Sequence, residues 1–162
     1  MTNTHFDFGD GNGPVPAHRH PNGGGWVADT AKVYETSYVG PDAQVYDNAT
    51  VGGNAQVYDN ATVGGNAQVY DNAWVSGDAW VYGDAWVYGD AWVYGDARVY
   101  GDARVYGNAW VSGDAWVYGD AEVSGIEVVN VDETEKELIG ILVKDRIFIN
   151  GKWYVEQVEE DE

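Results

Sequence analysis

The sequence predicts an all-β chain coiled as a parallel solenoid, and three regularities predict it. Valine recurs at every sixth residue without interruption from Val27 to Val123. A small residue stands four places after each of the first sixteen of these valines: Ala31, then Ser37, then alanine from Ala43 to Ala121. In most units a Gly-Asp, Asp-Asn or Gly-Asn pair separates the two, as in Val81-Tyr82-Gly83-Asp84-Ala85-Trp86. Ala-x-Val-x reads as a four-residue strand with Ala and Val inward and both x positions outward. The polar pair reads as a bend, because Gly, Asp and Asn tolerate positive φ and bond locally. Three such units close a triangular coil, in which each strand pairs with the strand three units on. Residues 26–125 then make about five to six coils stacked ~4.8 Å apart, a prism roughly 26 Å tall. At ~1.5–3 kcal/mol per buried valine, such a thin core is sufficient only because coils stack on one another.

Composition sets the class of partner. The chain has 162 residues, 27 Asp+Glu against 8 Lys+Arg, and a formal net charge of -19. That balance argues against direct contact with nucleic-acid backbone or anionic lipid, both of which need positive charge. Cysteine is absent, which excludes disulfides and thiolate metal sites. No apolar run approaches the roughly 20 residues of a membrane helix. Residues 1–20 lack a signal-peptide pattern, so the expected location is cytoplasmic: a host cell's cytoplasm, or a virion if the gene is a phage's. With 8 Trp and 12 Tyr the chain is too aromatic for an acidic disordered protein.

The elements follow in order. Residues 1–25 form an N-terminal Gly/Pro-rich cap segment in which Phe6 and Phe8 are expected to plug the first coil. His5, His18 and His20 lie here, and His18 and His20 are weak metal candidates against the plainer reading of loop histidines. Residues 7–13 faintly resemble a Ca²⁺ loop without its full ligand set. Residues 26–125 are the solenoid. Within it, residues 45–68 repeat a polar twelve-residue unit with outward Thr, Gln and Gly, and residues 73–121 change to an aromatic six-residue form. Residues 126–162 read as a C-terminal β-meander cap with an acidic tail, a contact through which chains could assemble. Its strands are expected at 137–143, 146–149 and 152–157, with Asn150-Gly151 as a hairpin turn pairing Phe148 with Trp153. A helix over 132–141 is the alternative, from Asp132 and Glu135 at capping-box spacing.

Counting three units along places outward residues in rows. One face carries Trp74, Trp92 and Trp110; a second carries Trp80, Arg98 and Trp116; the third carries Trp86 above Arg104. Tyr82, Tyr100 and Tyr118 form one companion row, Tyr70, Tyr88 and Tyr106 another, and Tyr94 belongs to the same outward set. Two readings stay open. The rings and guanidinium groups stack on each other and brace the solenoid, or they form a surface for a partner, since Trp, Tyr and Arg dominate binding hot spots. Carboxylates line the corners: Asp78, Asp96 and Asp114 on one edge, Asp84, Asp102 and Asp120 on another. Turn formers bonded to their own backbone are the plain reading. A divalent cation relieving their repulsion makes Asp78, Asp96 and Asp114 weak metal candidates, and mimicry of DNA phosphates is a minority alternative.

The Val-x-Gly-Asp-Ala-x unit resembles the hexapeptide repeat of left-handed parallel β-helix proteins, over about 100 of the 162 residues. Left-handed coils are implied by that resemblance alone. The opening Asn22-Gly23-Gly24-Gly25-Trp26-Val27 is similar to the start of uncharacterised bacterial and phage proteins of this kind. The family is known for acyltransferases and γ-class carbonic anhydrases, whose activity rests on coil-borne histidines and, in the acyltransferases, on a protruding loop and a trimer. Here every histidine precedes the first coil, and the valine count never slips. No catalytic residue is therefore carried over, and no cofactor is expected. The expectation is a non-enzymatic binding or structural solenoid, a homo-oligomer with a trimer as the anticipated form. Alternatives are a phage anti-defence protein that sequesters a nucleotide signal or blocks a host enzyme, and an acyltransferase-like trimer; a host protein or a small nucleotide or glycan ligand is the possible partner besides further copies of the chain.

Overall fold

The computed structural model describes residues 4–124, 128–131, 146–149 and 152–155. The chain winds as a parallel β-solenoid with three faces and no helix among the described residues. The first face holds the parallel strands Trp26–Ala28, Gln44–Val45, Thr62–Val63, Trp80–Val81, Arg98–Val99 and Trp116–Val117. The second runs from Lys32–Val33 to Glu122–Val123, and the third from Tyr38–Val39 through Trp110–Gly113 to Val128–Val131. Each coil takes three repeat units throughout, as the pairs Trp80↔Arg98 and Trp74↔Trp92 show. The same register runs on past the last hexapeptide valine, with Trp110↔Val128.

Most coil strands are two residues long, not the four that the repeat suggests. The ladder explains why. The residue before each valine donates to the alanine carbonyl of the next coil, and the residue after it donates to the next valine carbonyl (Trp80 N–H to Ala97 and Tyr82 N–H to Val99, 2.9 and 2.8 Å). The residue after valine already begins the corner, where in several units its own carbonyl accepts from the following alanine N–H, as Tyr46 does from Ala49 at 3.3 Å. The inward positions behave as expected. From Val39 to Val117 every repeat valine is buried, as is every repeat alanine from Ala43 to Ala115, and together they form one continuous core. Ser37 takes an alanine position, fully buried, and donates its hydroxyl to the Val51 carbonyl at 3.3 Å.

Corners are set by one backbone feature. From Asp47 to Gly119 the second residue after each valine has positive φ, between 54° and 75°. Glycine fills most of these places because a Cβ costs energy in that region. Asp47, Asp59 and Asp71 fill the other three, and each carboxylate accepts from a glycine N–H one coil on: Gly65, Gly77 and Gly89, all at 3.2 Å. Those bonds offset the strained backbone. Asp59→Ala is therefore expected to lower stability by about 1–2 kcal/mol, whereas Asp59→Gly, which relieves the strain while losing the bond, costs less; urea unfolding of the two variants checks the order.

The polar half packs by alternation. The position after valine alternates Tyr and Gly from unit to unit, while stacked neighbours are three units apart, so each tyrosine lies over glycine in an adjoining coil. A Cβ on Gly64 would sit 2.7 Å from the Tyr46 ring, and one on Gly52 2.7 Å from the Tyr70 ring.

The N-terminus covers the first coil in two layers. His5–Phe6 pairs antiparallel with Val15–Arg19, which pairs antiparallel with Trp26–Ala28 and extends the first face. Residues 20–25 then cross the end of the core: Gly25 N–H donates to Val39 O (2.9 Å), Val39 N–H to Asn22 O (3.0 Å), and the Asn22 amide to Ser37 O (2.9 Å). Phe6 and Phe8 do not plug the coil. Phe6 stacks on Trp26 (4.4 Å) and Phe8 on Tyr46 (5.2 Å), both outward residues, so the hairpin clasps the outside. Arg19 fixes it, with its guanidinium 4.2 Å over Trp26 and donating to Gly24 O and Pro41 O.

At the far end, Arg146–Ile149 and Lys152–Val155 pair antiparallel with Phe148↔Trp153, the register expected of an Asn-Gly hairpin. The expected strand at 137–143, its helical alternative at 132–141, the turn at 150–151 and the acidic tail lie outside the described residues.

Candidate binding surface

The outward rows fall where counting three units places them, and geometry separates their roles. On the third face Trp74 and Trp92 stack at 4.7 Å and 7°, and Trp92 and Trp110 at 5.3 Å and 12°. Each inner ring face in this stack is turned to a neighbour, so the row offers mainly indole edges to solvent. Tyr58 closes its lower end, edge-on to Trp74 at 6.0 Å. On the first face the Arg98 guanidinium lies between two indoles, 5.9 Å from Trp80 and 5.0 Å from Trp116. On the second face Arg104 stands above Trp86 and donates to Glu122 at 3.2 Å, an exposed pair of small energetic weight.

Corner tyrosines continue the pattern. Tyr88 stacks on Tyr106 at 5.1 Å and Tyr100 on Tyr118 at 5.2 Å. Burial, then the neighbouring Tyr106, raises the Tyr88 hydroxyl above its ordinary value. Tyr94 is half-buried beside Ser76 and Ser112, which take the small-residue places in its column and are themselves buried. Among the described residues no ring stacks on Tyr82. Tyr58 and Glu122 are working members of the rows that the sequence reading does not pick out. Three units on from Arg104 is Glu122, so counting could find it, whereas Tyr58 belongs to a corner and reaches Trp74 only through its side-chain direction.

Asp78 and Asp84, the first members of the two aspartate columns, bond across coils, where the sequence reading expects bonds to their own backbone. Asn60 donates to Asp78 (2.9 Å), Asn66 to Asp84 (3.0 Å) and Asn72 to Asp90 (3.1 Å). Below them Asn48 donates to Asn66 and Asn54 to Asn72, each at 3.3 Å, so an amide ladder feeds into the aspartate columns. Asp96 and Asp114 continue the column of Asp78. Among the described residues no three His, Asp or Glu side chains converge to hold a metal ion. His18 pairs with Asp29 at 2.9 Å on the surface, and buried His20 contacts the Asn22 carbonyl at 3.1 Å. A shallow, open groove of about 390 Å³ lies at the third corner between Tyr38, Pro41, Asp42, Gln56, Tyr58 and Asp59.

Comparison with known families agrees with the geometry. A family described as the YdcK beta solenoid repeat matches residues 43–55, 55–67, 67–83, 91–105, 97–113 and 103–119. These stretches fall on the coils and none on the N-terminal hairpin or the C-terminal hairpin. No curated protein and no solved structure matches the chain. Repeat sequence and three-faced register lead to the same conclusion: the chain is a β-solenoid repeat protein.

Proposed function

We propose that this solenoid is a non-catalytic binding and assembly module, a rigid prism whose outer rows meet a partner or further copies of the chain. The observation that carries the reading is the unbroken coil-to-coil register from Trp26 to Val131. It leaves no protruding corner loop among the described residues of the coils to carry a catalytic group, while it sets Trp, Tyr and Arg in ordered rows on all three faces. The histidines His5, His18 and His20 all precede the first coil, so no coil wall carries an acyltransferase-like histidine base. The Val-x-Gly-Asp-Ala-x unit further supports left-handed coils of the hexapeptide type, a handedness that an experimental structure with right-handed coils would overturn. The hairpin of 146–155 is a candidate cap and assembly contact, and a trimer is the form that triangular coils would suit.

Sedimentation velocity of the whole chain tests the assembly part: oligomers are expected, and a strict monomer at high concentration overturns it. Trp92→Ala tests whether the third-face row is scaffold. Removing the middle ring takes two stacking contacts, each worth about 0.5–1.5 kcal/mol, so thermal stability should fall. If oligomerisation weakens further than the melting shift accounts for, the row is an interface; proportional losses make it internal bracing.

A further inference from the structure

Where the polar coils give way to aromatic ones, three rings begin their rows together: Trp80 on the first face, Tyr82 at the corner and Trp86 on the second face. Stacked beneath them in the preceding coil are Thr62, Gly64 and Gln68, none of which carries a ring. Tyr46 crosses Gly64 from below without stacking on Tyr82. The three rings are 50%, 48% and 43% exposed, an overhanging step that turns a corner of the prism. Trp74 begins its row in the same way, but Tyr58 closes it from below. The step at the first corner has no ring in the coil below stacked on it; its one ring contact is Tyr88 of the same coil, T-shaped to Trp86 at 6.5 Å.

We propose that this step binds a neutral oligosaccharide, a proposal that rests on the binding-module reading and assigns it a site and a ligand class. Flat, rigid aromatic faces take the C–H face of a pyranose ring, while a few fixed polar groups take its hydroxyls. The Thr62 hydroxyl and the Gln68 amide are those groups, on the coil below. Charge selects the neutral ligand from both sides. A net charge of -19 repels polyanions such as nucleic acids and sulfated glycans. Arg98 lies 5.9 Å over Trp80, so that indole already carries a cation and a second cation on it is disfavoured, while Arg104, in register above Trp86, is paired with Glu122 at 3.2 Å. Asp84, which lies between Tyr82 and Trp86 in the chain, accepts from the Asn66 amide at 3.0 Å.

Affinity electrophoresis through gels containing soluble β-glucan, α-glucan, mannan, galactan or chitin oligosaccharides, followed by calorimetry, tests this on the whole chain. Retardation by at least one neutral glycan is expected, with affinity unchanged from low to high salt. The double variant Trp80→Ala/Trp86→Ala should lose about 10- to 100-fold, the effect of removing stacking rings. Trp92→Ala should bind as the parent does. Melting curves confirm that the double variant remains folded, and single Trp80→Ala and Trp86→Ala chains serve if it does not. No retardation by any neutral glycan, equal loss in Trp92→Ala, or salt-sensitive binding of polyarginine or dextran sulfate instead would each overturn the proposal. Oligomers in sedimentation alongside a negative glycan panel would leave the assembly reading standing; a monomer with no glycan bound would sink both.

Discussion

Gly25→Ala is expected to destabilise the N-terminal coil by about 3 kcal/mol or more, the upper range for forcing extra atoms into a packed site. A Cβ at this buried position would lie 2.3 Å from the Gly40 carbonyl oxygen, 2.4 Å from a Val39 methyl and 3.0 Å from the Ala43 carbonyl oxygen. Two of these atoms are backbone of the first and second coils, so neither can rotate away. The segment would have to lift, breaking the bonds that join Gly25 and Asn22 to Val39. Gly24→Ala is the control: its φ is +81° but a Cβ there meets nothing within 4 Å, so only the cost of positive φ remains, about 1–2 kcal/mol. Hydrogen exchange at the Val39 amide, with urea unfolding, measures both. Equal effects in the two variants would show that residues 20–25 are not seated on the core.

The second large effect is expected at high pH. Tyr46 is 5% exposed, its ring against Gly64 of the next coil and stacked with Phe8. Burial, reinforced by the charge of Asp47, pushes its hydroxyl from 10.0 up to about 12. A folded value above the unfolded one means that the folded chain holds this proton more tightly. The associated stability is complete below pH 10 and is lost as pH rises from 10 to 12, where the unfolded chain ionises first. Two units correspond to roughly 2–3 kcal/mol. Tyr46→Phe removes this loss, so alkaline unfolding of parent and variant, compared against their stabilities at pH 8, isolates the one residue. Identical alkaline slopes would mean that Tyr46 is accessible in the folded chain.

Much of this fold is legible because its two determinants are both periodic. Valine every sixth residue fixes what points inward, and three such steps per coil fix what stacks on what; hence Trp74, Trp92 and Trp110 can be aligned without coordinates. Strand length is not legible, because a repeat shows which side a residue faces but not where hydrogen bonding yields to the corner. Hydrophobicity alone would put Phe6 and Phe8 inside, whereas Trp26 and Tyr46 supply flat partners outside the core. The cross-coil bonds of Asp47, Asp59 and Asp71 escape for a related reason: a side chain that bonds to the next coil looks, in sequence, like one that bonds its own turn. Of the candidate site, the rows can be read by counting. Which ring faces are open cannot, since that depends on the size of the residue one coil below.

The alternation of Tyr and Gly in the polar half has a mechanical consequence. Its unit spans two repeats and the coil three, so inserting one unit leaves every tyrosine facing a glycine and every valine in the core. The rod would lengthen by two-thirds of a coil, about 3 Å. All aromatic rows beyond the insertion would swing together by two-thirds of a turn relative to the N-terminal hairpin, without losing their contacts with one another. Three inserted units, two full coils, would return them to their starting bearing. The polar coils thus act as a vernier, in which the number of units sets the distance of the aromatic head from the hairpin and the direction in which it points.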